Sequence, residues 1–156
     1  MDFNQMMGMS NVEFGQMPPQ AFLLGLLSAF DNRYQAVADS FFKEITWKQF
    51  FAIICINLCK ESPTINELSD IMGSSHQNVK QILNKLESKN FVQMIPDPKD
   101  KRKPRIKVTD WCRIFCEKND VQSQKMIAQL FEGIGEEQLL ITIQTITQME
   151  RNLKNL

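Results

Sequence analysis

From Pro18 onward the apolar residues fall into blocks whose spacing changes along the chain. Ala21, Leu24, Leu27, Phe30, Tyr34, Val37 and Phe41 recur every three or four residues. That period predicts a long amphipathic helix ending near Lys43. Thr46 is placed to cap a second helix, whose Phe50, Phe51, Ile53, Ile54, Ile56 and Leu58 cover nearly all sides. Such a helix belongs in a core, and Glu61-Ser62-Pro63 stops it. Thr64 to Glu67 fits the Thr-x-x-Glu capping box and opens a short helix with Ile65, Leu68 and Ile71 inward. Gly73 supplies the turn. Ser74 or Ser75 caps a further helix whose buried stripe is Val79, Ile82, Leu83 and Leu86. Asn90 follows its end, and Asn tolerates the left-handed conformation found at many helix stops.

At Phe91 the period changes. Phe91 to Ile95 reads as a strand, Pro96 to Pro104 as a polar loop, and Arg105 to Thr109 as a half-buried strand of alternating polar and apolar residues. Thr109 or Asp110 caps another long helix, running to about Phe131. Gly133 and Gly135 separate it from a last helix starting near Glu136. There Leu139, Ile143, Ile146, Met149 or Glu150, Leu153 and Leu156 repeat by threes and fours. No internal repeat or low-complexity tract is visible.

This order predicts a mainly α fold with a small β-hairpin. The helices at Thr64–Met72 and Ser75–Lys89 are joined by about three residues, which is helix-turn-helix spacing. An ordinary helical corner has the same spacing. With the hairpin as a wing, the division is a winged helix-turn-helix over residues 45–109. Residues 18–44 and 110–156 then form a helical dimerisation region. Residues 1–17 hold five of the nine Met and no clear period, and read as a mobile arm.

Composition adds a constraint. The chain has 156 residues, 43% apolar and 23% charged, ordinary for one soluble globular domain. No apolar run approaches the roughly 18–20 residues of a membrane span, and no secretory signal opens the chain. A cytoplasmic location and no membrane partner are the resulting expectations. The formal net charge is zero, yet from Gly73 to Lys107 nine Lys and Arg face only Glu87, Asp97 and Asp100. A basic block inside a neutral chain marks a polyanion-binding face, although charge runs in general are more often solvated surface.

What sits in that block decides between the two. His76, Gln77, Asn78, Lys80, Gln81, Asn84 and Lys85 all fall off the apolar stripe of their helix, and no acid appears before Glu87. Asn and Gln can bond adenine through two hydrogen bonds in the major groove, and Lys suits guanine or phosphate. Backbone N–H groups at Ser75, His76 and Gln77 form a positive helix end able to seat a phosphate. The loop carries Lys99, Asp100, Lys101, Arg102 and Lys103. Arg suits the negative potential of a narrow minor groove, and a carboxylate at Asp100 can orient Arg102. The partner this combination suits is double-stranded DNA.

From about Ile45 to Arg113 the chain resembles the MarR (multiple antibiotic resistance regulator) family. The resemblance rests on Ile45-Thr46-x-x-Gln49-Phe50, on Leu68-x-x-Ile71-Met72-Gly73-Ser74-Ser75, and on Val79 with Leu86-Glu87-x-Lys89-Asn90-Phe91-Val92. It rests most on Asp97-Pro98-x-Asp100-x-Arg102 followed by Val108-Thr109. It implies a homodimeric transcription regulator, most often a repressor, whose terminal helices interlock. It further implies that Asn78 and Gln81 face bases, that Ser75, His76 and Gln77 face the backbone, and that Arg102 enters the minor groove. In that family small aromatic or anionic effectors bind between the dimer helices and the DNA-binding lobe. Phe30, Tyr34, Trp47, Phe51 and Trp111 are the residues here that could line such a pocket, although aromatic stripes are more often core. The chain departs from the pattern at Asn90 and Cys112, where Gly is usual. It departs again at His76, where Arg is frequent, which would make backbone affinity depend on pH.

Cys55 with Cys59 and Cys112 with Cys116 are i, i+4 pairs, a spacing that permits thiol or metal chemistry. Cys55, amid Phe51, Ile54 and Leu58, reads as buried filler. Cys112 and Cys116 support an alternative, a thiol- or metal-sensing regulator of the same fold, with Arg113 near enough to lower a thiol pKa. A third reading is a winged helix that binds protein and not DNA. The single His has no triad partners and no phosphate loop or metal motif appears, so neither enzyme activity nor a cofactor or metal is expected.

Overall fold

The computed structural model describes residues 8, 11, 13–15, 17–98, 100 and 103–156. It contains six α-helices and one antiparallel hairpin among the described residues: α1 (Pro19–Phe41), α2 (Trp47–Leu58), α3 (Ile65–Met72), α4 (His76–Ser88), β1 (Val92–Ile95), β2 (Arg105–Val108), α5 (Asp110–Leu130) and α6 (Glu136–Leu153). Two compact units divide at the end of β2, residues 1–109 and residues 110–156.

In the first unit the starts of the central helices are set by side chains. The Thr46 hydroxyl accepts the Gln49 N–H while the Gln49 side chain accepts the Thr46 N–H, closing a capping box on α2. Thr64 and Glu67 do the same on α3. Gly73 ends α3 at φ 60°, ψ 35°, a left-handed conformation that costs a residue with a Cβ about 1–2 kcal/mol. Ser75 caps α4, its hydroxyl accepting the Asn78 N–H at 3.3 Å. Asn90 takes φ 61° after α4 ends, the one non-glycine residue with positive φ among the described residues.

The core is built from Ala52, Ile53 and Cys55 of α2, Leu68 of α3, and Val79, Ile82, Leu83 and Leu86 of α4. Phe91, Val92, Ile106 and Val108 of the hairpin close it. The hairpin register pairs Val92 with Val108 and Ile95 with Arg105. Alternation along β2 puts Ile106 and Val108 in and Lys107 out, as its sequence predicts.

Two expectations of burial are corrected. Ile71 is 47% exposed, and Ser69 takes the inward place beside Leu68 with its hydroxyl donating to the Ile65 carbonyl at 2.7 Å. At 100° per residue, Ile65, Leu68, Ser69 and Met72 share one face and Ile71 falls well off its centre. On α1 the residues buried are Phe22 and Ala38, while Leu24, Phe30 and Val37 of the expected stripe are about half exposed.

The second unit is a helical pair. Cys112, Phe115 and Met126 of α5 are buried, and Gly133 turns the chain at φ 77°. The Gly135 N–H donates to the Gln138 side chain at 3.0 Å as α6 begins. No residue of α6 is buried: Leu140, Ile141, Ile143, Ile146 and Leu153 are all exposed.

Candidate nucleic-acid interface

The polar face of α4 stands clear of the core. Ser75, His76, Gln77, Asn78, Lys80, Gln81, Asn84 and Lys85 are all exposed. The Ser75 hydroxyl is engaged with the Asn78 N–H. The remaining N–H groups of the first turn point out of the helix end, where anions are favoured. The Asn78 side-chain amide donates to the Ser74 hydroxyl at 2.7 Å, which holds the amide over the turn between α3 and α4.

Beside this face lies a cavity of about 390 Å³ between α4, the start of α3 and the hairpin. His76, Lys80 and Asn84 line it from α4, Thr64, Ile65 and Asn66 from α3, and Met94, Lys103 and Pro104 from the hairpin. Its one acid, Glu87, accepts the Met94 N–H at 3.2 Å, tying the end of α4 to β1. Thr64 and Asn66 were absent from the sequence-predicted site. Asn84 was visible as an exposed amide of α4, but only folding brings the first turn of α3 beside it.

Asp100 forms an ion pair with Lys103 at 3.9 Å, and the Lys103 N–H donates to the Asp100 carbonyl at 2.9 Å. The expectations for Lys99, Lys101 and Arg102, including the orienting of Arg102 by Asp100, lie outside the described residues. The base of the hairpin is held differently. Arg105 Nε donates to Asp97 Oδ2 at 2.6 Å and its Nη1 donates to the Ser62 carbonyl at 2.8 Å. The hydrogen bond from Arg105 to the Asp97 carboxylate, reinforced by the charges of Asp97 and Glu67, raises the guanidinium pKa further.

A second cavity, of about 410 Å³, opens on the other side of the α3–α4 turn. Tyr34, Trp47 and Phe51 line it together with Lys48, Ser74 and Asn78. Tyr34 packs edge-on against Trp47 at 4.7 Å and Trp47 stacks on Phe51 at 6.0 Å. Phe30 stacks on Tyr34 at 6.0 Å. Trp111 belongs to the second unit, where it is 45% exposed.

Burial raises the pKa of Cys55 and that of Cys59, whose thiol donates to the Cys55 carbonyl at 3.3 Å. In the second unit the two thiols of α5 share a hydrogen bond. It lowers Cys116 to about 7 and, with burial, drives Cys112 well up. The cause of the Cys116 shift is Cys112; Arg113, bonded to Asp110 at 2.5 Å, pulls the Cys112 pKa down, as expected, but the shared hydrogen bond and burial outweigh it. Among the described residues no group of three or more His, Cys, Asp or Glu is placed to hold a metal ion. Nor is any helix among them long and apolar enough to cross a membrane.

A short support helix, a glycine turn, an exposed polar helix and a hairpin at its side define a winged helix-turn-helix. Residues 45–103 match the model of the MarR family. The wider fold is that of solved regulators of the family. A MarR/EmrR family transcriptional regulator from Acinetobacter sp. ADP1 superimposes with a TM-score of 0.79 at 15% identity, over 90% of this chain and 100% of that one. A cysteine variant of MarR from E. coli, complexed with operator DNA, gives 0.72 at 21% identity over 86% and 99%. BpsR of Bordetella bronchiseptica, whose DNA binding is regulated by 6-hydroxynicotinic acid, gives 0.73 at 15% identity over 90% and 98%.

Proposed function

We propose that the chain is a homodimeric transcription regulator that binds double-stranded DNA through α4 and the hairpin wing. One observation carries the reading: seven amide, imidazole and ammonium side chains stand exposed on α4, beside a groove lined by three basic side chains. Asn78 and Gln81 read base edges; Ser75, His76, Gln77, Lys80 and Lys85 bind backbone; Lys99, Lys101, Arg102 and Lys103 address the flanking minor groove. Residues 45–109 serve as the DNA-binding domain. The terminal regions, 18–44 and 110–156, serve as the dimer interface, which accounts for an α6 with no fully buried residue in its own chain. Two recognition helices about 34 Å apart fit a pseudo-palindromic operator. A dimer seated there blocks access to the promoter, so the outcome is repression, in the cytoplasm.

The aromatic cavity beside Tyr34, Trp47 and Phe51 is the effector site of this reading, for a small aromatic or anionic compound. Its occupancy shifts the population between dimer geometries that do and do not fit the operator. A second reading, a thiol-sensing regulator, is favoured by the lowered Cys116 thiol beside Cys112. No catalytic role is assigned.

The test is retention on duplex DNA as a function of salt. Phosphate binding through Lys and Arg makes affinity fall linearly on a log–log plot, by about 0.9 per neutralised phosphate. A purified protein with no affinity for any duplex in dilute buffer refutes the reading and leaves a protein-binding winged helix in its place.

A further inference from the structure

The hairpin is short, and a two-stranded ribbon alone is marginally stable in water. Glu87 of α4 holds Met94 of β1, and a second tie joins the loop end of the hairpin to the start of α3. Arg105 opens β2 opposite Ile95, the last residue of β1, so it stands where the wing loop begins and ends. Its Nε meets Asp97 at 2.6 Å, at the start of that loop. Its Nη1 meets the Ser62 carbonyl at 2.8 Å, two residues before the cap of α3. The other Asp97 oxygen accepts the Asp100 N–H at 3.2 Å. The backbone adds an antiparallel bridge from Thr64 to Arg105 and a bond from the Ile106 N–H to the Pro63 carbonyl at 2.8 Å. The Asp97 side chain is only 7% exposed and that of Arg105 25%. A planar, charge-assisted fork of this kind fixes orientation as well as distance.

The charge count of the sequence places Arg105 with the phosphate-seeking cations, but its guanidinium is turned inward onto a carboxylate and a carbonyl. We propose that Arg105 is a positioning residue that locks the wing to α3, so that wing and recognition helix meet DNA as one body and accept only one spacing between their two grooves. The inference rests on the DNA-binding reading above. A wing free to pivot would lose more freedom on binding and would tolerate flanks at varied offsets.

The experiment uses the full chain and the duplex that the wild-type protein recovers most strongly from a random-sequence pool. A second duplex carries one extra base pair between the major-groove core and the flank protected in the minor groove. Wild type is expected to lose about tenfold or more on the insertion, on the scale of a mismatched position. Arg105→Met should bind the parent duplex about tenfold more weakly and discriminate between the two by about twofold or less, the wing losing its preorganisation. Arg105→Lys, which keeps the charge but not the fork, should fall between them. Thermal midpoints taken alongside separate loss of fold from loss of spacing. Should Arg105→Met fail to fold, Asp97→Asn is read on the same ratio. Equal weakening on both duplexes, or an unchanged insertion penalty in a folded variant, overturns the proposal. A wild type that recovers no duplex refutes the DNA-binding reading and takes this inference with it, a result distinct from a binding protein whose variants keep the ratio.

Discussion

The Asn78 amide donates to the Ser74 hydroxyl at 2.7 Å, across the turn that joins the support helix to the exposed helix. Asn78 also sits on the wall of the aromatic cavity, so a single side chain borders both the proposed reading face and the proposed effector site. Replacing it with Ala should relax base preference at one position of each half-site, by about 5- to 150-fold in discrimination, the range of one bidentate base contact. Ser74→Ala frees the amide without removing it and should cost less. Selection from random DNA reads both; an unaltered preference with Asn78→Ala removes the assignment.

The Thr64–Glu67 box predicts a stability effect with a defined acid limb. Thr64→Ala should cost about 1 kcal/mol, or about 2–4 °C in melting midpoint for a chain of this size. The hydrogen bonds from the Thr64 backbone and hydroxyl hold the Glu67 carboxyl below its ordinary 4.5. Its folded pKa is therefore the lower one. The stabilisation is fully present above 4.5 and is lost as pH falls through the depressed value. Glu67→Gln keeps an acceptor for the cap but should flatten that acid limb. Superimposable midpoint-against-pH curves for the two proteins would contradict the assignment.

Cys116 should alkylate with a pH midpoint near 7, because the Cys112 thiol donates to its thiolate. Cys112→Ala removes the donor, returns Cys116 toward its ordinary 9.0, and should slow alkylation at pH 7 about tenfold or more. Iodoacetamide labelling followed by mass spectrometry measures the profile at each thiol. If Cys116 reacts identically with and without Cys112, the shared hydrogen bond is not what activates it.

With no buried residue on α6, its exposed Leu and Ile are expected to be covered by a second copy. The intact chain should sediment as a dimer, and a chain truncated after Glu132 should sediment as a monomer or unfold. A truncated protein that remains dimeric places the interface elsewhere.

Much of this architecture was legible because its signals are local. A capping box needs four consecutive residues, so Thr64–Glu67 announces a helix start, and Thr46 marks another as an N-cap. The stripe of Val79, Ile82, Leu83 and Leu86 settles the orientation of α4 without knowledge of its neighbours, since burying one face exposes the opposite one. Gly73 and Asn90 declare the two backbone reversals through the conformations they tolerate. The sequence by itself therefore determined the order of elements and the set of side chains that α4 offers to solvent.

Tertiary structure decided what charge and aromaticity are used for, because those depend on partners distant along the chain. By charge alone Arg105 is one more cation, but Ser62, 43 residues earlier, and Asp97 occupy its guanidinium. Asn66 joined Asn84 and Lys80 only when the first turn of α3 met the groove beside α4. Tyr34, Trp47 and Phe51 became a cavity wall and not core filling because α1 and α2 leave space between them and the α3–α4 turn. Hydrophobic period reports which way a residue points relative to its own helix; it carries no information on what the folded chain brings to meet it.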